Sequence, residues 1–106
     1  MSEFVVALTT CSPDEAKQLA NELVQRRLCA CVNIVPSVAS AYRWRGEINS
    51  DEESLILMKT ARSRVRELER ALRSLHSYEL PEFVVLDISS GSDDYLSWIS
   101  EMMAQD

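Results

Sequence analysis

CACVNIVPSVASAYRWRGEINSDEESLILMKT, residues 29–60, is the stretch that decides the fold. Its first arm is rich in β-branched and aromatic residues, which favour strands. Gly46 is one of only two glycines in the chain, and its place between the two arms predicts a turn. Pro36 interrupts the first arm, which predicts a bulge or an edge position. The stretch therefore predicts a long β-hairpin.

The arms of this hairpin are too long for the body that carries them. About 18 extended residues span on the order of 55–60 Å, at roughly 3.3 Å per residue. A compact globule of this chain's length is only about 35 Å across, from an expected radius of gyration near 13 Å. The hairpin must therefore bend at Pro36 or reach beyond its own subunit. Because a two-stranded ribbon is marginal alone, a second copy of the chain is the simplest partner.

The segments before the hairpin predict a strand and a helix. The apolar run at residues 4–8 predicts a short central strand, and residues 9–12 predict a connection. Ser12-Pro13-Asp14-Glu15 is typical of a helix start, with Ser12 as N-cap and Glu15 completing a capping box. Apolar residues then recur at helical spacing up to Val24.

The segments after the hairpin repeat that alternation. Arg62 to about Leu75 predicts a second helix, residues 76–81 a loop, residues 83–88 a strand, and a final helix starts near Asp93. The order predicts the α+β class: a ferredoxin-like βαββαβ sandwich with an extended hairpin between its second and third strands and a C-terminal helix. We expect one domain over residues 1–106. Helices on one face leave the other sheet face bare, which favours a closed homo-oligomer.

Composition limits the classes of function. Seventeen acidic and eleven basic side chains give a formal charge of −6, which argues against nucleic acid as a partner because such binding needs a basic face. No apolar run approaches the roughly 20 residues of a membrane span, so we expect no membrane partner. The N-terminus lacks the pattern of a signal peptide, which predicts a cytoplasmic protein. Three cysteines, an odd number, do not make a disulfide framework.

A few side chains have the chemistry of metal ligands or buried structural residues. Cys11 precedes the first helix, whose N-terminus favours a thiolate, but a small semi-buried turn residue is more typical there. Cys29 and Cys31 lie two apart, as in soft-metal sites and as in buried cores. His76 is the only histidine and lies in a predicted loop, where a lone histidine is usually exposed. No spacing completes a metal motif.

The remaining polar and aromatic candidates leave their roles open. Asp51-Glu52-Glu53 is typical of a solvated strand edge and less often of a cation site. Lys59 either extends to solvent or points into a cleft, and Tyr42 and Trp44 suit an interface or a core more than a stacked ligand. No nucleophile has an identifiable base partner, so we expect no enzymatic activity.

Several segments together resemble the CutA divalent-cation-tolerance family. They are Cys29-Ala30-Cys31-Val32-Asn33-Ile34 with Pro36, Tyr42-Arg43-Trp44-Arg45-Gly46-Glu47-Ile48, Lys59-Thr60, His76-Ser77-Tyr78-Glu79-Leu80-Pro81-Glu82 and Asp94-Tyr95-Leu96-Ser97-Trp98-Ile99. They cover nearly the whole chain in colinear order. The resemblance implies an interlocked homotrimer whose hairpins extend each other's sheets, an architecture similar to that of PII signalling proteins, and tolerance to copper and other divalent cations.

The resemblance also implies two sets of site residues. Some family members are thought to bind copper through a cysteine near the first strand–helix junction and histidines after the second helix. Here the corresponding ligands are Cys11 and His76, although Thr10 aligns with that cysteine and Ser77 replaces a motif proline. The clefts between subunits are lined by shared motif residues, which in this chain are Cys31, Tyr42, Trp44, Lys59, His76, Tyr78 and Glu82.

Two functions follow from the resemblance. The first is a cytoplasmic trimer of divalent metal-ion homeostasis that binds copper or another divalent cation. The alternative is a PII-like signalling module that binds a small anionic ligand in the inter-subunit cleft near Lys59 and His76. A purely structural trimer would bind neither.

Overall fold

The computed structural model describes residues 2–104. Its strands are β1 (Phe4–Cys11), β2 (Cys31–Trp44), β3 (Glu47–Ala61) and β4 (Val84–Asp87). Its helices are α1 (Ala16–Gln25), α2 (Val65–Leu75) and α3 (Asp93–Ala104). Short 3-10 turns at Pro13–Glu15 and Arg62–Arg64 lead into α1 and α2.

The four strands form one sheet in the order β2-β3-β1-β4. Every neighbouring pair is antiparallel, and the chain runs β-α-β-β-α-β before α3. The predicted α+β class, with a ferredoxin-like order and a C-terminal helix, is therefore confirmed. β1 lies between β3 and β4, in the central position predicted for it.

β1 is longer than its apolar run predicts. The prediction that residues 9–12 form a connection is wrong, because Thr9, Thr10 and Cys11 continue the strand opposite Ile56, Leu55 and Ser54 of β3. An apolar pattern alone would end the strand before these polar residues. They remain in the strand because the long partner strand β3 supplies hydrogen bonds to their backbone groups. The extension carries Cys11 into the sheet rather than into a turn.

The hairpin of β2 and β3 sets the length of the molecule. Arg45 and Gly46 form its turn, both with positive φ of 51° and 82°, a conformation that glycine adopts without strain. The register shifts between Val35 and Val38, which places the predicted bulge at Pro36. The molecule measures 44 × 25 × 23 Å, so its long axis exceeds the roughly 35 Å expected of a compact globule this size.

The core lies between the sheet and the helices α1 and α2. Alternate residues of β1 are buried, and so are their partners on β3, because side chains along a strand alternate between faces. The buried cluster joins sheet residues Ala7, Cys11, Ile56 and Met58 with helix residues Leu19, Leu23, Leu68 and Leu72.

The opposite face of the sheet carries apolar side chains that stay partly exposed. Val6 pairs with Leu86 and Leu8 pairs with Val84, so all four share this face. Leu86 is 50% exposed and Val84 is 45% exposed. The prediction that the helices leave this face bare is wrong at one end, where Phe4 and Ala61 pack against Ile99 and Met103 of α3. We call the rest of this surface, formed by alternate residues of β1, β3 and β4, the open face.

The start of α1 differs from the predicted capping box. Ser12 makes no side-chain hydrogen bond to the helix. The carboxylate of Glu15 instead accepts a hydrogen bond of 2.8 Å from the hydroxyl of Ser77. A tertiary contact has replaced the local one, and it ties the first turn to the segment that follows α2.

We expect Leu72→Ala to lower the free energy of unfolding by about 2–5 kcal/mol, because it leaves a cavity in the core. Leu72 is 0% exposed, whereas Leu75 on the same helix is 37% exposed. The matched variant Leu75→Ala should cost about 1 kcal/mol or less. Urea denaturation followed by circular dichroism measures both, and equal costs would contradict the described orientation of α2.

Candidate functional site

A groove of about 680 Å³ lies between the outer half of the hairpin and residues 78–82. Tyr42 and Trp44 line it from β2, while Asp51 and Glu53 line it from β3. The other wall comes from the segment after α2. That segment contributes Tyr78, Glu79, Leu80 and Glu82. The groove is therefore both aromatic and acidic.

Glu53 is a buried carboxylate at the inner end of the groove. It is only 6% exposed, and it accepts a hydrogen bond of 2.8 Å from the hydroxyl of Tyr78. Burial, together with this bond and the charge of Glu53, raises the pKa of Tyr78. A buried carboxylate needs such a donor because losing water without a partner is costly. The pair fixes residue 78 against the hairpin.

A second phenol–carboxylate pair lies further out along the hairpin. The hydroxyl of Tyr42 donates to the carboxylate of Asp51, and this bond is the main cause that raises the pKa of Tyr42. The two residues lie on paired strands, since Tyr42 is opposite Asn49 and Asp51 is opposite Ser40. The two pairs therefore place two phenol rings and two carboxylates along the groove.

At the tip of the hairpin, a guanidinium lies on an aromatic ring. The Cζ of Arg45 is 5.5 Å from the centroid of the Trp44 ring, within cation–π range. Its Nη2 is 3.0 Å from Oε2 of Glu79. The hairpin tip and the segment after α2 are thus joined by one exposed ion pair.

The prediction that His76 is exposed is wrong, because its two ring nitrogens both bond to backbone groups of neighbouring segments. Its side chain is fully buried, and Nε2 lies 2.7 Å from the carbonyl oxygen of Thr10, to which it donates. Nδ1 accepts the backbone N–H of Tyr78 at 3.1 Å. These two roles require a neutral ring with its proton on Nε2. His76 therefore joins the end of β1 to the segment that carries Tyr78.

Cys11 lies in the core, next in sequence to the Thr10 residue that His76 contacts. His76 bonds to Thr10, the residue next to Cys11, so the structure places the two predicted metal ligands at the same end of β1. Burial raises the pKa of the Cys11 thiol to about 11, with smaller effects from Glu15 and Glu53. Within residues 2–104, no group of three or more His, Cys, Asp or Glu side chains is arranged to hold a metal ion.

The predicted cleft residues separate into two places within one chain. Tyr42, Trp44, Tyr78 and Glu82 line the groove. Cys31 and Lys59 face each other across β2 and β3, near the other end of the hairpin. The Nζ of Lys59 lies 3.5 Å from the hydroxyl of Tyr95 on α3 and 5.4 Å from the centroid of its ring.

Glu53 is the groove residue whose role the sequence analysis missed. The prediction that Asp51-Glu52-Glu53 is a solvated edge is wrong for Glu53, which is buried and accepts a hydrogen bond from Tyr78. The sequence could have predicted this from the alternation of side chains along β3, which places Asp51 and Glu53 on the face opposite Glu52. Separately, none of the helices among the described residues has the length and apolar character needed to cross a membrane.

Comparisons with known proteins agree on one family. A family model for the CutA1 divalent ion tolerance protein matches residues 4–102. The divalent-cation tolerance protein CutA of Thermus thermophilus is 44% identical over 99 residues, covering 93% of this chain and 96% of that protein. Protein CutA, chloroplastic, of Arabidopsis thaliana is 43% identical over 96 residues, covering 91% and 53%, so the chain spans about half of that relative's length. The structure of CutA from Synechococcus elongatus superposes with a TM-score of 0.93 at 35% identity, covering 98% and 93%.

We expect the free energy of unfolding to fall as pH rises from about 9 to about 11. The buried Cys11 thiol of the folded chain has a pKa of about 11, whereas an ordinary thiol has a pKa of 9.0. The unfolded chain therefore loses this proton at a lower pH than the folded chain, and this difference stabilises the unfolded chain as the pH rises. Cys11→Ala should remove the part of this decrease in the free energy of unfolding that Cys11 causes. Cys31→Ala is the control, because it changes a thiol that is only half-buried. Denaturation at pH 7, 9 and 11 measures it, and parallel profiles for wild type and Cys11→Ala would refute the assignment.

Proposed function

The chain belongs to the CutA1 divalent ion tolerance family, and from this membership we propose that it acts in divalent-cation tolerance as a cytoplasmic homotrimer. The observation that carries the proposal is the family match over residues 4–102. That range contains the whole hairpin and both walls of the groove. We further propose that residues 1–106 act as one domain.

The open face and the hairpin support the proposed trimer. Half-exposed leucine and valine side chains on a sheet face mark an interaction surface, and Leu86 is the most exposed of them. The hairpin extends the molecule to 44 Å, which offers long strand edges to a neighbour. A cyclic trimer would cover the face and pair the edges in one arrangement.

The same assembly would complete the predicted cleft. Tyr42 and Trp44 lie toward the hairpin tip, while Cys31 and Lys59 lie at its base. The two sets therefore meet only between copies. We propose that the groove of one subunit faces Lys59 of the next, as the resemblance implies.

For the metal, we propose that copper or another divalent cation uses Cys11 and His76. Their common position at the end of β1 supports the pair. Binding there requires the thiol to lose its proton against a pKa of about 11 and the histidine to release one of its two hydrogen bonds. Affinity should therefore be modest at neutral pH and should increase with pH.

We propose a binding role rather than catalysis, and the groove gives the PII-like alternative no support. Four carboxylates of one chain line the groove, and together they would repel a small anionic ligand more strongly than the single Lys59 of the next subunit would attract it. The cytoplasmic assignment is supported by the three cysteines, which are all free thiols, as is usual in a reducing compartment. Fractionation of cells that express the tagged protein tests the compartment.

We expect Leu86→Glu to weaken assembly at least tenfold, because the trimer would bury an unpaired carboxylate. Leu75→Glu is the matched control, since Leu75 is also partly exposed but lies on α2, away from the open face. Sedimentation velocity at equal concentrations measures the effect, and circular dichroism confirms folding. Identical sedimentation of Leu86→Glu and wild type would place the interface elsewhere.

We expect His76→Ala and Cys11→Ala to lower the affinity for Cu(II) at least about tenfold, the usual effect of losing a ligand or its support. Cys29→Ala is the control, since Cys29 is equally buried but outside the proposed pair. Titration calorimetry measures the affinities. If all four proteins bind Cu(II) equally, neither Cys11 nor His76 is a ligand.

A further inference from the structure

We propose that the outer side of α2 is a docking surface for an acidic segment of a partner protein, one that presents its carboxylates along a single line. The surface consists of Arg66, Arg70 and Arg73, which we call the arginine stripe. It uses none of the metal or cleft residues, and the core separates it from the open face, so the proposed trimer would leave it accessible. The inference therefore goes beyond the proposed function and does not depend on it.

The arginine stripe faces away from the core. Leu68 and Leu72 are the buried residues of α2, whereas Arg66, Arg70 and Arg73 are all exposed. Residues three and four apart lie on the same side of a helix, with Cβ atoms about 5–6 Å apart. The three arginines therefore form one line, roughly 10 Å long at about 1.5 Å per residue.

The guanidinium groups of the stripe have no partner within the part of the chain that the structure describes. Arg62 and Arg64, which precede α2, donate to backbone carbonyl oxygens of other segments. Those of the stripe make neither a hydrogen bond nor an ion pair among residues 2–104. Glu69 lies four residues before Arg73, a spacing that favours helical ion pairs, yet the two are not paired. Three guanidinium groups are thus available to a partner.

The charge of this helix is opposite to that of the molecule. Residues 62–75 carry five arginines and two glutamates, which leaves six basic and fifteen acidic side chains in the rest of the chain. Like charges at helical spacing repel each other, and a partner of the opposite charge would relieve that repulsion. Complementary charge also steers the two surfaces together and fixes their register. The stripe therefore selects an anionic partner.

Two glutamates limit the shape of that partner. Glu67 and Glu69 are exposed, and at about 100° per residue they lie on either side of the stripe. A membrane surface or a nucleic-acid duplex would bring its phosphates against these carboxylates, whereas a single acidic segment fits along the line between them. Guanidinium and carboxylate groups also match in shape, because they form two parallel hydrogen bonds. Clusters of arginine are a recurrent means of binding acidic motifs.

The test titrates the full-length protein, labelled with nitrogen-15, with an alanine-based helical peptide of about 20 residues that carries glutamates at i, i+4 and i+7. Two control peptides carry glutamine or lysine at the same positions. Heteronuclear NMR should show that the acidic peptide shifts amide signals of α2, binds at least about tenfold more tightly than either control, and is released as salt screens the charges. Equal binding of the acidic and glutamine peptides would mean that the stripe is only a solvated helix face, and would overturn the proposal.

Vesicles of phosphatidylserine and a DNA duplex are titrated in parallel, because both are also anionic. Each should bind at least about tenfold more weakly than the acidic peptide, since the flanking glutamates and the acidic remainder of the chain repel a broad anionic surface. Tighter binding of either one would assign the stripe to a lipid or nucleic-acid surface and would overturn the proposal.

Three variants locate the surface, and circular dichroism confirms that each is folded. Arg70→Gln, in the middle of the stripe, should weaken binding of the acidic peptide at least about threefold. Arg43→Gln, the same change at an exposed arginine of β2, should leave it unchanged. The double variant Glu67→Gln/Glu69→Gln should bind the peptide at least about twofold more tightly. Unchanged affinity in Arg70→Gln or in the double variant, or equal losses in Arg70→Gln and Arg43→Gln, would contradict the assigned surface.

Copper titration and sedimentation of Arg70→Gln separate this inference from the proposed function. The variant should retain wild-type Cu(II) affinity and assembly, because Arg70 lies apart from Cys11, His76 and the open face. Loss of peptide binding with both of these properties intact is the expected result. Parallel loss of assembly and peptide binding would place the stripe in a subunit interface and would overturn the proposal.

Discussion

The antiparallel pairing of β2 with β3 is the constraint on which the rest of the structure depends. The strands hold 14 and 15 residues, and a continuous ladder of backbone hydrogen bonds keeps them extended together. The bulge between Val35 and Val38 changes the direction of β2 without ending the pairing. The inner half of β3 is buried against β1 and the helices, while the outer half leaves the core. The inner half of the hairpin therefore belongs to the packed core, and the outer half forms a ribbon that extends away from it.

The groove results from the same division. Where β3 leaves the core, the alternation of its side chains turns Asp51 and Glu53 toward the segment that follows α2. That segment is fixed from the other side, because His76 bonds to Thr10 at the end of β1 and Tyr78 bonds to Glu53. The only histidine in the sequence thus has a clear structural role: it positions one wall of an acidic, aromatic groove. The proposed use of His76 in metal binding would compete with that role, which would limit the affinity for the metal.

The sequence predicted those features that depend on local chemistry. Gly46 marked the turn, Pro36 marked the bulge, and the alternation of patterns predicted the order of strands and helices. Features that depend on distant partners were missed. Thr9 to Cys11 form a strand because β3 continues opposite them. The predicted capping box does not form, since the backbone N–H of Glu15 bonds to the carbonyl oxygen of Ser12 and the carboxylate of Glu15 bonds to Ser77. The burial of Glu53 likewise depends on Tyr78, 25 residues away. The cleft residues could be named from the family motif, but only the fold shows that Cys31 and Lys59 lie apart from the groove.

The central claim is that the hairpin and the open face of one chain are completed by other copies. Native mass spectrometry of the unmodified protein at micromolar concentration tests it most directly. The account predicts a particle of three 12.0 kDa chains that persists on dilution. A single chain of 12.0 kDa as the dominant species, still folded and still monomeric at higher concentration, would contradict it.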